Sequence, residues 1–301
     1  MKIKANGINI EVEDSGPGSG AQPRPAVLLI MGLGMQLVAW PPAMVQALLD
    51  AGYRVIRLDN RDIGLSQKFD HLGQPNLVWE SLKYKLGLPV KSPYSLHDMA
   101  ADALAVLDAL QINKAHVVGV SMGGMIAQRV ALAAPARVLS LTSVMSSSGA
   151  RGLPQAEPHV LRVLLSRPAG KDLPSIVDHY VKLFKAIGSP GFPVNDEELR
   201  SRILAASERS FYPSGVTRQM MAIVADGRRA AELAALRLPA LVVHGKADPL
   251  VPFACGEDTA RRIQGARLVG IEGMGHDLPD GVVQRLLEPL IPHLDAAQAT
   301  P

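Results

Sequence analysis

Hydrophobic and polar positions follow two different periods along the first half of the chain. Residues 2–14 alternate around Asn6-Gly7, which predicts two paired strands at a sheet edge. The continuous apolar run at 26–30 is typical of a strand buried on both faces, and further strands are predicted at 53–58, 115–120 and 138–145. Apolar residues at helical spacing cover 41–51, 96–111 and 123–134. This alternation of strand and helix predicts a mostly parallel sheet with helices on both faces, an α/β fold.

The alternation stops after residue 148. Residues 149–226 contain helical pieces separated by prolines, without a convincing buried strand. Strand and helix then alternate again over 240–244, 254–264, 267–271 and 278–294. The pattern predicts one core, residues 1–148 and 227–301, with a helical cap inserted at 149–226 and a lid-like excursion at 67–95. The last seven residues, beyond the predicted final helix, are expected to fray.

Composition narrows the classes of function. The chain has 301 residues, of which 48% are hydrophobic and 20% charged, a balance that allows a sizeable core. Its net charge of +3 is small and its basic residues are scattered, so we expect no nucleic-acid partner. A single cysteine, Cys255, excludes an intrachain disulfide. No apolar run approaches the roughly 18 residues of a membrane span, and we expect a cytoplasmic protein without membrane association.

The segment Gly119-Val120-Ser121-Met122-Gly123 has the pattern G-x-S-x-G. Ser121 ends an apolar strand, and a helix of small residues begins directly after it. This sharp strand-to-helix turn raises a serine hydroxyl above the edge of a sheet. Glycines at both ends of the turn avoid a collision between side chains across it. We therefore predict that Ser121 is a nucleophile rather than a serine in an ordinary loop.

A serine hydroxyl needs a base that accepts its proton. Among the eight histidines, only His276 follows a predicted sheet strand within a glycine-rich loop. Asp248 directly follows the strand 240–244, and the strand after the Ser121 helix ends without a carboxylate. The chain order serine, aspartate, histidine is the one expected for this type of sheet. We predict that His276 is the base and Asp248 orients it; the alternatives are a solvated loop histidine and an aspartate that caps the next helix.

Negative charge that develops on a carbonyl oxygen requires fixed N–H donors. One donor is predicted to be the backbone N–H of Met122, the residue after the nucleophile. The other is expected from the loop Met31-Gly32-Leu33-Gly34, which follows the strand 26–30 and whose glycines allow close backbone approach. We assign this second donor to Leu33, with Gly34 as the alternative.

A further polar segment, Asp59 to Ser66, follows the strand 53–58. Its two acids and arginine suggest catalysis, but side chains of these types also hold tight turns by bonding to the backbone, and we expect that structural role. We expect Cys255 to be structural. Neither metal-ligand spacing nor a phosphate-binding glycine motif is visible, so we expect no metal and no cofactor.

The motif Gly119 to Gly123, the turn Asp59 to Ser66 and the loops of Asp248 and His276 together resemble the α/β-hydrolase superfamily. The resemblance covers about residues 24–148 and 227–295. The motif and the turn are most similar to those of the aclacinomycin methylesterase-like esterases. The resemblance implies a carboxylic ester hydrolase with a Ser-His-Asp triad, an oxyanion hole and a cap.

Two departures from the family pattern stand out. The loop proposed for the oxyanion begins Met31-Gly32, whereas the family usually has His-Gly there, so its anchoring is expected to differ. The segment between Ser66 and Leu96 is longer than the family usually carries.

These residues predict cleavage of a small-molecule ester with an apolar part through an acyl-enzyme on Ser121. A carbon–carbon bond hydrolase or a perhydrolase on the same triad is one alternative. A non-catalytic small-molecule receptor is another, although a receptor needs the pocket and not the nucleophile. Aromatic residues of the two irregular segments are expected to line the pocket: Trp79, Tyr84, Phe184 and Tyr212. The acyl and leaving groups and the oligomeric state stay open.

Overall fold

The computed structural model describes residues 1–18 and 24–299, apart from the side chains of residues 78, 81, 84 and 85. Its strands are β1 (Lys2–Ala5), β2 (Ile8–Asp14), β3 (Ala26–Ile30), β4 (Arg54–Leu58), β5 (Ala115–Val120), β6 (Val138–Val144), β7 (Ala240–Gly245) and β8 (Arg267–Ile271). They form one sheet in the order β1-β2-β4-β3-β5-β6-β7-β8. The first two strands pair antiparallel, β2 also runs antiparallel to β4, and the other pairs are parallel. The predicted mostly parallel sheet is confirmed.

The helices flank this sheet and fill the segment between β6 and β7. They are α1 (Pro42–Asp50), α2 (Leu77–Lys85), α3 (Leu96–Ala109), α4 (Met122–Ala133), α5 (Pro158–Leu164), α6 (Leu173–Ile187), α7 (Asp196–Arg209), α8 (Pro213–Ala225), α9 (Arg229–Glu232), α10 (Phe253–Arg262) and α11 (Asp280–Gln298). In the described part of the chain, no helix is long and apolar enough to cross a bilayer.

Strand β3 shows why the apolar runs become central strands. All five of its residues are buried, and successive side chains point to opposite faces. Leu28 and Ile30 join the apolar cluster beneath α3 and α4. Val27 and Leu29 join the cluster beneath α1 and α11. Since full burial of one such side chain is worth roughly 1.5–3 kcal/mol, a strand apolar on both faces is stable only with helices on both sides.

The predicted end of the last helix is wrong. Helix α11 continues to Gln298, although residues from 295 onward were expected to fray. The hydroxyl of Tyr53 donates to Asp295 Oδ1 at 2.5 Å, and Gln298 Nε2 lies 3.0 Å from His116 Nε2. Ala297 is also buried. These contacts with distant parts of the chain keep the last turn of the helix in place, and the local sequence does not reveal them.

The segment Asp59 to Ser66 is a structural turn, as expected. Its first residue, Asp59, accepts the N–H of Leu37 at 2.7 Å with one carboxylate oxygen and that of Leu65 at 2.8 Å with the other. The Ser66 hydroxyl donates to the backbone oxygen of Asp59 at 2.6 Å. Asn60 donates from Nδ2 to Met31 O at 2.9 Å, which ties the turn to the loop after β3.

The same turn also carries two buried ion pairs that the sequence did not reveal. Arg61 makes two hydrogen bonds to Asp102 of α3, at 2.6 and 2.7 Å. Asp62 receives two from Arg218 of α8, at 2.6 and 2.9 Å, and both side chains are at most 1% exposed. The second pair links the segment 149–226 to the core, since α8 lies within that segment.

We predict that Asp102→Ala lowers the free energy of unfolding by about 3–5 kcal/mol, because it leaves the Arg61 charge buried without its partner. Asp108→Ala, in the same helix, is the matched control: its side chain is 61% exposed in a surface pair with Arg137, and such pairs contribute about 0–1 kcal/mol. Urea unfolding of both variants measures the difference. Equal losses would contradict the prediction.

Candidate active site

Ser121 occupies a strained turn between β5 and α4. Its φ is 56° and its ψ is −122°, in a region that residues other than glycine rarely adopt. Its N–H donates to Val144 O at 2.9 Å, and the hydroxyl of Ser146 donates to its backbone oxygen at 2.7 Å. Val144 is the last residue of β6 and Ser146 follows it by two residues, so the neighbouring strand and the residues after it hold the turn in its unusual conformation.

The two glycines of the motif make this turn sterically possible. A Cβ on Gly119 would lie 2.1 Å from the backbone oxygen of Gly123. A Cβ on Gly123 would lie 2.0 Å from Ile30 O, at the end of β3. The turn is therefore packed against the backbone of the adjacent strand, and a larger residue at either position would displace it.

The structure brings the three predicted residues together. His276 Nε2 lies 2.9 Å from Ser121 Oγ, and His276 Nδ1 lies 2.7 Å from Asp248 Oδ2. The other Asp248 oxygen accepts the N–H groups of Leu250 and Val251 at 2.9 and 2.8 Å, which fixes the carboxylate. With the imidazole N–H directed at this carboxylate, Nε2 is free to accept the serine proton.

The His276 loop is held by the last residue of α6 and by a residue shortly after it, which the sequence did not suggest. The His276 N–H donates to Ile187 O at 2.7 Å. The Ser189 hydroxyl accepts the N–H of Gly275 at 2.8 Å and donates to the carboxylate of Asp277. Burial raises the pKa of Asp277, against the effect of the Ser189 hydrogen bond. The segment 149–226 thus contributes directly to the position of the histidine.

The loop after β3 lies against the serine. A Cβ on Gly32 would be 3.1 Å from Ser121 Cβ. The N–H of Gly34 donates to Gln219 Oε1 at 3.0 Å, whereas among the described residues no group accepts the N–H of Leu33. Met122 is the first residue of α4, where a backbone N–H lacks a partner within the helix. This arrangement favours Leu33 over Gly34 as the second oxyanion donor.

The other chemically active side chains near the triad have structural partners. His244 is fully buried and donates from Nε2 to Val251 O at 2.7 Å, and burial lowers its pKa. Burial raises the pKa of the Cys255 thiol to about 11, which leaves a poor nucleophile. In the described ranges, no group of three or more His, Cys, Asp or Glu side chains could hold a metal ion.

The four predicted pocket residues lie in different surroundings. Trp79, in α2, is 56% exposed, and the side chain of Tyr84 lies outside the described residues. Phe184 is half-buried in α6. Tyr212 accepts a hydrogen bond from Arg218 at 2.8 Å and donates to Asp70, so its hydroxyl belongs to the network around the turn. Their role in a pocket stays a prediction.

Comparison with known proteins agrees with the resemblance seen in the motifs. A family model described as the alpha/beta hydrolase fold matches residues 25–280. Rhodomycin D methylesterase DauP from Streptomyces sp. (strain C5) is 33% identical over 291 residues, covering 90% of this chain and 91% of its own. Rhodomycin D methylesterase DnrP from Streptomyces peucetius is 32% identical over 309 residues, covering 96% and 97%.

Solved structures share the fold. The meta-cleavage product hydrolase CumD from Pseudomonas fluorescens IP01 matches with a TM-score of 0.75 at 21% identity, over 99% of this chain and 98% of that one. At this identity the match supports the architecture and carries no statement about the reaction.

We predict that Gly123→Ala destabilises the fold by at least about 1–3 kcal/mol, since its Cβ would collide with the backbone of β3. Gly227→Ala is the control, because a Cβ there would meet nothing within 4 Å. Thermal unfolding of both variants provides the comparison. A Gly123→Ala variant as stable as its control would show that the turn tolerates a side chain.

Proposed function

The chain belongs to the α/β-hydrolase family, and we propose that it is a serine hydrolase that cleaves a carboxylic ester through an acyl-enzyme on Ser121. One observation carries the proposal. His276 Nε2 lies 2.9 Å from the serine hydroxyl while Nδ1 lies 2.7 Å from Asp248, the geometry that a base needs to remove the serine proton.

In the first half of the reaction, His276 accepts the Ser121 proton as Oγ attacks the ester carbonyl. The backbone N–H groups of Leu33 and Met122 stabilise the resulting oxyanion. The imidazolium then donates its proton to the leaving oxygen, the carbon–oxygen bond breaks, and an alcohol departs. Asp248 stabilises the imidazolium and orients it without accepting the proton.

In the second half, water replaces the alcohol. His276 removes a proton from the water as it attacks the acyl-enzyme carbonyl, and the same two N–H groups stabilise the second oxyanion. Collapse of this intermediate breaks the bond to Ser121 Oγ, which recovers its proton from His276. The products are a carboxylic acid and free enzyme.

The two methylesterases with which the chain shares about a third of its residues favour a methyl ester as the substrate. The apolar part expected from the sequence would then belong to the acid. A small alcohol would then leave, and the acid part would occupy a pocket formed by the cap, residues 149–226, together with residues 67–95. Residues of this cap contact both the His276 loop and the loop after β3, which supports that placement.

The alternatives have weaker support. A carbon–carbon bond hydrolase shares the fold with this chain at 21–22% identity, which does not favour that reaction. A non-catalytic receptor would not require the hydrogen-bonded series from Asp248 to Ser121.

We predict that Ser121→Ala lowers kcat for methyl ester hydrolysis by roughly 10⁴-fold or more, and that His276→Ala is nearly as damaging. Because the two residues act as a unit, the double variant should be no worse than either single one. Titration of the acid released from methyl esters of aromatic acids measures the rates.

Fluorophosphonate labelling of the wild-type protein separates the remaining outcomes. Labelling at Ser121 together with ester turnover supports the proposal. Labelling without turnover of any ester would replace it with carbon–carbon bond hydrolysis or perhydrolysis. The receptor alternative would stand if the protein took up no label.

We also predict that alanine variants of Trp79, Tyr84, Phe184 and Tyr212 change kcat/KM unequally across esters with acid parts of increasing size. One methylene group in a hydrophobic pocket changes transition-state binding by about 1–3 kcal/mol, so we expect kcat/KM to shift by about 10–200-fold. Tyr212→Phe is a control that keeps the ring and removes the hydroxyl bonds to Asp70 and Arg218. An unchanged preference in all four folded variants would place specificity in the core loops.

A further inference from the structure

Gln219 lies on α8 in the cap, yet its side-chain amide bonds to two loops of the core. Oε1 accepts the N–H of Gly34 at 3.0 Å, and Nε2 donates to Arg61 O at 2.9 Å. The side chain is completely buried. Since the two partners are a donor and an acceptor, only one orientation of the amide satisfies both, and the side chain acts as a rigid bridge.

The first of these bonds bears on the proposed oxyanion hole. Gly34 has a φ of +70°, and Gly32, two residues earlier in the same loop, packs against Ser121. Val216, one turn before Gln219 on α8, lies 3.0 Å from the position that a Cβ of Gly34 would occupy. The helix therefore contacts Gly34 with an apolar side chain and fixes its N–H with a polar one.

The loop after β3 is tied at both of its ends. At one end, Asn60 of the core donates from Nδ2 to Met31 O at 2.9 Å. At the other end, the Gly34 N–H donates to Gln219 Oε1 of the cap. The Leu33 N–H lies between these two contacts and has no acceptor among residues 1–18 and 24–299, so it is available for a ligand. This arrangement gives an anchor to a loop that begins with Met-Gly instead of His-Gly.

We propose that Gln219 is a positioning residue for the oxyanion hole: it fixes Gly34 so that the Leu33 N–H stays in place for the oxyanion. The inference rests on the proposed function. Gln219 touches neither the substrate nor the reacting atoms in this role, and it acts through the backbone of the loop. A cap residue would then take part in transition-state stabilisation as well as in forming the pocket.

Gln219→Met tests the proposal, because methionine has a similar length and forms neither hydrogen bond. We expect kcat for methyl ester hydrolysis to fall about 10- to 100-fold with little change in KM, since a displacement of about 1 Å costs on the order of 100-fold in rate. Gln219→Glu keeps an acceptor for the Gly34 N–H and should recover part of the lost kcat. Thr217→Val is the control, since it removes a hydrogen bond within α8 and leaves both loops untouched.

A second measurement separates positioning from a general effect on the cap. A trifluoromethyl ketone forms a tetrahedral oxyanion on a catalytic serine, whereas the corresponding methyl ketone binds without one. We expect Gln219→Met to raise the inhibition constant of the trifluoromethyl ketone by about the factor by which it lowers kcat. The inhibition constant of the methyl ketone should stay unchanged. An equal rise in the inhibition constants of both ketones, or a rise in KM at constant kcat, would overturn the proposal in favour of a structural role.

Two further results are distinguishable. If wild-type protein hydrolyses no ester and takes up no fluorophosphonate, the proposed function fails. If wild type is active and Gln219→Met has the same kcat, only the inference about Gln219 fails. If the methionine variant does not fold, Gln219→Asn replaces it in the test. Its side chain is one methylene shorter, so the amide no longer reaches Gly34, and we expect the same loss of kcat.

Discussion

The close approach of the Ser121 turn to the end of β3 is the constraint on which the rest of the site depends. The serine backbone has a φ of 56°, and a Cβ on Gly123 would lie 2.0 Å from the carbonyl oxygen of Ile30. This approach sets Ser121 against the loop that follows β3 and leaves the first N–H of α4 beside the hydroxyl. The parallel sheet makes the approach possible, since it places the ends of β3 and β5 side by side.

The segment 149–226, which we propose to be a cap, also holds loops of the candidate active site. Ile187 and Ser189 hold the His276 loop, and Gln219 holds the loop after β3. Arg218, beside Gln219 on α8, forms a buried ion pair with Asp62. The attraction within a buried ion pair offsets the free energy lost on desolvation only when its geometry is good. We therefore assign to this pair the role of fixing how α8 packs on the core. Both loops therefore depend on the position of the cap.

Much of the fold could be predicted, as could the three side chains that meet in one hydrogen-bonded series, Ser121, His276 and Asp248, because both depend on local patterns. The apolar run of β3 requires burial on both faces, and a serine between two glycines at a strand-to-helix junction has few structural solutions. The turn Asp59 to Ser66 was expected to be structural because acidic and hydroxyl side chains hold tight turns, and its bonds from Leu65 and Ser66 to Asp59 are of that local kind.

The remaining features depend on contacts between residues far apart in the chain, which a single sequence does not reveal. Tyr53 stabilises the last turn of α11 through Asp295, where fraying was expected. Gln219 is unremarkable within its own helix and acquires its partners only when α8 docks on the core. Periodicity and steric limits act over short distances, and they were enough to predict the sheet, the strand-to-helix turn and the three side chains proposed as the triad. Tertiary structure alone decided which backbone groups hold the loops, because that depends on how the inserted helices pack.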